Sequence, residues 1–253
     1  MQAAVIDCQQ VTKSFGGVKA VSAVSASFSG GRITALVGPN GAGKTTLFHL
    51  ISGSVQPDQG QIAYMGKPIN GLPGWRIAQL GIGRLFQDVR VFGSLTCLEN
   101  VLVAFQAQLG ENPFWSILSR RRVMKQDRQA VGEAAALLES VGLGGLDSTE
   151  ADSLSYGQQK LLAIARLMAV GSEVYLLDEP TSGVNPEMVK VLIGLIKGLA
   201  SQGKTVAVIE HNMNVVTELA DWVYFLDEGE IVAFGLPDEV LGDKEVRAAY
   251  LGF

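Results

Sequence analysis

Residues 38–45 read Gly38-Pro39-Asn40-Gly41-Ala42-Gly43-Lys44-Thr45 and fit the pattern G-x-x-x-x-G-K-[ST] in full. Glycines at this spacing let the backbone curl until successive N–H groups converge on an anion. A helix beginning at Lys44 adds unpaired N–H groups and a partial positive charge at the same point. Lys44 brings a point charge suited to β- and γ-phosphates, and the Thr45 hydroxyl is a ligand type for Mg2+. Thr46 follows in the same first turn and is grouped with the loop. The chemistry expected is capture of a nucleoside triphosphate.

A second group lies far along the chain. The apolar run Val174-Tyr175-Leu176-Leu177 ends in Asp178-Glu179-Pro180. Two carboxylates just past a buried strand sit where ligands bind open α/β sheets. Asp178 suits the outer sphere of Mg2+. Glu179 is the candidate general base, polarising a water in line with the γ-phosphate.

These groups need a frame to hold them. Val5 to Phe15 and Val18 to Phe28 alternate loosely and read as an antiparallel edge sheet. Arg32 to Val37 reads as a buried strand feeding the glycine loop, and Lys44 to Ser52 as the helix after it. Pro73 to Leu80 reads as a helix and Ile82 to Gln87 as a strand. From Val89 to about Ala169 the strand signal vanishes. Thr96 to Gln108 reads as a helix with Leu98, Val101, Leu102 and Phe105 on one face. Asn112-Pro113 breaks it, Gln129 to Ser140 and Gln158 to Val170 are further helices, and Arg120, Arg121, Arg122 and Lys125 form a basic cluster. Strands and helices then alternate again through Thr205 to Ile209, a hairpin turning at Glu228-Gly229, and short helices near 237–241 and 244–251. This pattern predicts a parallel sheet covered on both faces, interrupted by an all-helical insertion.

Composition narrows the class. The chain has 253 residues, 47% hydrophobic and 18% charged, with net charge −5. That length fits one large α/β domain. The acidity argues against affinity built on neutralising nucleic-acid phosphates. Low charge fits either a surface covered by a partner or simply a large core. Cys8 and Cys97 make no Cys-x-x-Cys, and His49 and His211 cannot build a His-rich metal site. Met1 to Gln10 contains Asp7 and no basic start, unlike a secretory signal. No run of 18 apolar residues predicts a membrane span.

Leu154-Ser155-Tyr156-Gly157-Gln158-Gln159 resembles the LSGGQ signature of ATP-binding cassette (ABC) ATPases, at the start of a helix some 20 residues before the acidic strand. The resemblance spans nearly the whole chain. Phe15 stands where the family places an aromatic against adenine, Gln87 matches the glutamine loop, Ser182-Gly183-Val184-Asn185 matches the loop after the acidic strand, and His211 matches the switch histidine. The implied fold is α/β: a P-loop NTPase with a parallel core sheet, an antiparallel β subdomain and an inserted α-helical subdomain. As one domain over 1–253, its core would be 1–87 and 170–253, and its helical part 88–169.

The resemblance also implies ATP and Mg2+ as cofactors. Ser155, Gly157 and Gln158 would meet the γ-phosphate held by a second ATPase subunit facing head to tail. Gln87 would sense Mg2+ and the attacking water, and His211 would hydrogen-bond the γ-phosphate. His49 reads as structural. Solute passage requires separate membrane-spanning subunits, which implies a peripheral position on the cytoplasmic face of the inner membrane. Val91 and Phe92 beside Arg90 read either as an apolar contact for those subunits or as core of the insertion. The basic cluster reads either as lying near lipid headgroups or as a solvated face.

Arg84-Leu85-Phe86-Gln87 with Val89 to Phe92, Tyr156, the insertion around Asn112 to Arg122 and the ending Ala249-Tyr250-Leu251-Gly252 look like the ATP-binding subunits of branched-chain amino acid importers, specifically the larger of their two ATPases. Urea and neutral amino acid importers share these features. An exporter of lipid or polysaccharide and, more remotely, a DNA-associated ABC ATPase are the alternatives. Two positions depart from the general family pattern. Tyr156 replaces a glycine, with the N–H groups of Ser155 and Gly157 expected to stay available. Asn185 replaces an aspartate, which removes charge but keeps hydrogen bonding.

Overall fold

A computed structural model describes residues 4–105, 120–243 and 246–247, with the side chains of 120–127 left aside. The Asn112-Pro113 break, the side chains of the basic cluster, the ending 249–252 and most of the expected helix at 244–251 lie outside the described residues. The chain divides into two compact units, one drawn from Met1–Gln87, Glu173–Ser182 and Val189–Phe253, the other from Asp88–Ser172 and Gly183–Met188.

The first unit carries two sheets. In the antiparallel one, β1 (Ala4–Phe15) lies between β2 (Val18–Ser29) and β4 (Gln59–Tyr64), with the short β5 (Lys67–Pro68) at its edge. The other has six strands in the order β10, β9, β3, β8, β7, β6. In it, β6 (Ile82–Leu85), β7 (Val174–Asp178), β8 (Thr205–Ile209), β3 (Ile33–Val37) and β9 (Trp222–Asp227) run parallel. Only β10 (Glu230–Gly235) is antiparallel, returned by a hairpin whose turn residues Glu228 and Gly229 have φ of 46° and 84°.

Every residue of β3, β7 and β8 is buried. Continuous Val, Ile and Leu runs are what a strand needs when both its faces are covered. Helix α1 (Lys44–Ile51) buries Leu47, Phe48, Leu50 and Ile51 in a core shared with Phe28, Ile62 and Leu226. Strand β6 stops at Leu85, two residues short of the expected end, so Phe86 and Gln87 stand exposed in the segment after it. His49, expected mid-helix, sits half-buried in the last turn of α1. Helix α2 (Gly74–Gln79) packs beside β6.

The second unit is helical: α3 (Cys97–Leu102), α4 (Arg120–Ser140) and α5 (Tyr156–Ala169) pack on one another. The expected apolar face of α3 is corrected: its buried residues are Cys97, Asn100 and Val101, while Leu98, Leu102 and Phe105 are only half-buried. Two features rotate the helix. Thr96 and Glu99 form a capping box that fixes its start. Asn100, fully buried, accepts from Phe92 N–H at 2.9 Å and donates to the carbonyls of Phe92, Leu95 and Thr96. A polar residue thus earns its burial by satisfying a loop backbone that would otherwise be stranded.

Candidate functional site

The glycine loop joins the carboxyl end of β3 to α1, as its sequence requires. Gly38 (φ 144°) and Gly43 (φ 98°) hold backbone that side chains avoid, and a Cβ there would lie 1.9 Å from Leu226 O and 2.2 Å from Ala20 O. These two glycines are therefore fixed by strands β9 and β2 behind them, not by local turn preference alone. Lys44 is 5% exposed, and its Nζ donates to Gly38 O and Pro39 O at 2.8 Å each. Burial pushes the Lys44 ammonium down from its ordinary value, against the pull of Glu179 and Asp178. The lysine thus lies within electrostatic reach of both carboxylates. Asn40, Gly41 and Thr45 are exposed, Pro39 and Thr46 half-buried, and Ala42 buried.

Asp178 ends β7 opposite Ile209 of β8, so a fully apolar strand delivers a carboxylate to the edge where the loop begins. It is 3% exposed and accepts from Arg84 Nη2 at 3.1 Å. Burial pushes the Asp178 carboxyl up, the Arg84 guanidinium pulls it back down, and Glu179 raises it again. Glu179 has φ 48°, a left-handed conformation costly for a residue with a side chain, and its N–H donates to Ile209 O at 3.0 Å. The turn aims its carboxylate at two other expected site residues. His211 Nε2 lies 2.8 Å from Glu179 Oε1, and Gln87 Nε2 donates to Oε2 at 3.2 Å.

The first unit therefore brings Lys44, Asp178, Glu179, Gln87 and His211 together at the carboxyl edge of its parallel sheet. Phe15 ends β1 in the same unit, 48% exposed, with Lys13 Nζ 5.5 Å from its ring centre. Two residues not assigned roles from the sequence complete the arrangement. Arg84 is a charge inside an otherwise apolar strand, and that is the signal that could have marked it. Glu210, 2% exposed, accepts from Thr181 N–H at 3.0 Å and Thr181 Oγ1 at 2.8 Å. It ties the turn after Glu179 to the segment carrying His211, and a lone carboxylate closing the apolar run 205–209 was its only trace in the sequence. Around His49, burial first and Arg84 second push the imidazole down, and Asp178 opposes them.

Ser155, Gly157 and Gln158 belong to the second unit. Helix α5 begins at Tyr156, two residues earlier than expected, because Ser155 is its N-cap. Ser155 Oγ accepts from Gln158 N–H at 3.3 Å, and Gln158 Oε1 accepts from Ser155 N–H at 3.0 Å. This corrects the expectation that the Ser155 N–H stands available: the capping box occupies it. Tyr156 is 42% exposed, with Lys160 Nζ 5.0 Å from its ring centre. Asn185 Oδ1 accepts from Met188 N–H at 2.8 Å, which caps α6 (Pro186–Ser201), a task open to asparagine and aspartate alike. Phe92 is 46% exposed, with the Arg166 guanidinium 4.6 Å from its ring centre, and Arg166 also donates to Arg90 O.

The donor types suit Mg2+. The exposed Thr45 hydroxyl and the Asp178 carboxylate are hard oxygen ligands, and this ion is commonly held by one or two such groups together with phosphate oxygens.

An anion cradle at a helix start, backed by a parallel sheet and faced by strand-end carboxylates, defines a P-loop nucleoside triphosphatase. Within that class, the family profile described as ABC transporter matches residues 21–182, and the chain belongs to this family. The LivG high-affinity branched-chain amino acid transport ATP-binding protein of Salmonella typhimurium is 39% identical over 239 residues, 94% of each chain. The ADP conformation of MJ1267, an ATP-binding cassette of an ABC transporter, superposes with TM-score 0.83 at 30% identity, covering 100% of both chains. A dimeric bacterial ABC transporter cassette, MJ0796, gives TM-score 0.76 at 26% identity over 92% of this chain and 98% of that one. The protein is an ATPase that binds ATP with Mg2+. No helix among the described residues is long and apolar enough to cross a membrane.

Proposed function

We propose that this chain powers uptake of branched-chain or other small amino acids through separate membrane-spanning subunits. It would work as a head-to-tail pair with a second copy or a related ATPase, on the cytoplasmic face of the inner membrane. The observation that carries the solute class is the 39% identity to LivG over 94% of each chain. The dimeric cassette relative supports the pairing. The reading treats 1–253 as one ABC ATPase domain, with 1–87 and 170–253 as its α/β core and 88–169 as its helical subdomain. The two compact units support it, with membership differing at 170–172 and 183–188.

In this reading Phe15 stacks on adenine, and residues 38–46 wrap the phosphates. Ser155, Gly157 and Gln158 reach the γ-phosphate bound by the partner, for which the Ser155–Gln158 capping box must open or turn its hydroxyl outward. Thr45, Gln87 and Asp178 hold Mg2+, which supplies charge neutralisation at the phosphate oxygens. Glu179 accepts the proton of the attacking water as its oxygen bonds to the γ-phosphorus. The bond from that phosphorus to the bridging oxygen breaks, and ADP and phosphate leave. Both Glu179 oxygens are engaged, so one contact must yield to the water. The Gln87 contact, at 3.2 Å against 2.8 Å for His211, is the weaker of the two and so the one to yield. Lys44 and His211 then neutralise charge developing on the γ-phosphate.

The test is to co-purify the chain with its membrane subunits, reconstitute the complex in vesicles, and follow labelled solutes. ATP-dependent accumulation of leucine, isoleucine or valine is expected. A complex whose ATPase activity responds to lipid or polysaccharide, and to no amino acid, overturns the importer reading. Loss of ATP affinity in Lys44→Ala checks the phosphate loop separately.

A further inference from the structure

Strand β6 holds one charged residue, Arg84, flanked by Gly83 and Leu85. Its side chain is 5% exposed. Only Nη2 is paired, with Asp178 Oδ2 at 3.1 Å, while Nε and Nη1 are buried without a hydrogen-bond partner. Those two nitrogens carry three of the five guanidinium N–H groups. The guanidinium carbon lies 4.8 Å from the centre of the Phe86 ring and 5.9 Å from that of Phe48. Cation–π contact offsets part of the desolvation, but leaving buried donors unmade is expensive. A position serving only to fill the core would be better occupied by an apolar residue. The arginine is explained if its task is directional.

We propose that Arg84 is a positioning residue that orients Asp178 for Mg2+ and at the same time anchors the segment carrying Gln87. The guanidinium holds Oδ2 by a single bond, which sets the carboxylate's rotation without engaging Oδ1. Its central carbon lies 4.8 Å from the ring centre of Phe86, the residue immediately before Gln87, whose amide reaches Glu179 at 3.2 Å. One planar cation therefore ties the acidic end of β7 to the chain leaving β6. Lysine could supply the charge but neither the fixed fork nor the stacking plane. The inference rests on the Mg2+–ATP reading of the site, and its test separates the two.

The experiment measures ATP affinity of the purified full-length protein in EDTA and across a Mg2+ titration, for wild type, Arg84→Lys and Arg84→Met, with melting temperatures alongside. In wild type, binding in EDTA that tightens with Mg2+ supports the site reading. Absence of any ATP binding refutes that reading before the variants are considered. Outer-sphere partners of metal ligands typically matter by about 10–100-fold in metal affinity. Arg84→Met should accordingly need at least ~10-fold more Mg2+ for half-maximal tightening, with ATP affinity in EDTA within about two-fold of wild type. Arg84→Lys should fall between the two. If the methionine variant does not fold, the lysine variant decides. A wild-type Mg2+ response in a folded variant overturns the proposal. So does a loss of affinity that is equal in EDTA and in Mg2+, because that would mark general damage to the fold.

Discussion

Replacing Asp178 with alanine should cost far more stability than one surface carboxylate deserves. The partners are 5% and 3% exposed, with 3.1 Å between Nη2 and Oδ2. At an effective dielectric near 20, opposite unit charges at that distance attract by about 5 kcal/mol. Part of this is returned because alanine relieves the burial that already pushes the Asp178 carboxyl up. What remains is a guanidinium with no anion and all five N–H donors unmade, in a place water does not reach. Truncating one member of a buried pair typically costs about 3–5 kcal/mol. For a chain of this size about 3 kcal/mol corresponds to a fall of roughly 6–12 °C in melting temperature. The double variant Arg84→Met with Asp178→Ala removes both charges, so it should melt above Asp178→Ala alone. Thermal unfolding without nucleotide, followed by circular dichroism, reads both values. An Asp178→Ala melting temperature within about 2 °C of wild type would refute the reasoning, as would a double variant less stable than the single one.

Glu179→Gln should bind ATP but hydrolyse it at least ~100-fold more slowly, and should run as a dimer with ATP in size-exclusion chromatography; near-normal turnover removes Glu179 from the role of base. Ser155→Ala should lose about 1 kcal/mol from the start of α5, seen as a lower unfolding midpoint, because alanine removes the hydroxyl that accepts from Gln158 N–H and keeps only the backbone N–H that donates to Gln158 Oε1; an unchanged midpoint contradicts this. His49 is pushed below its ordinary value in the fold. The unfolded chain therefore takes up its proton first as pH falls, so stability present above pH ~6.5 is lost on acidification below it. Relative to His49→Gln, wild type should lose more melting temperature between pH 7.5 and 5.5; parallel profiles would reject the assignment.

The phosphate loop, the acidic strand end and the order of strands and helices were determined by the sequence alone. Each of these depends on local physics. Glycines permit the backbone of residues 38–43, and Val174 to Leu177 reads as a strand covered on both faces. The signature, glutamine-loop and switch positions follow from the resemblance to the ABC family, whose motifs are short strings that a single segment can carry. The tertiary structure decided what faces what. Periodicity put Leu98 and Leu102 inward on α3, but Asn100 is inward because the Phe92–Thr96 loop needs its amide. Ser155 looked like an available N–H donor, and only the geometry of the helix start showed that Gln158 takes it. Arg84 and Asp178 stand 94 residues apart in the chain. Glu210 and Thr181 are separated by 29. No pattern in one strand announces a partner in another, since pairing across a sheet depends on which strands become neighbours. That order is fixed by covering the apolar faces of the six-stranded sheet at once, a property of the whole core rather than of any segment in it.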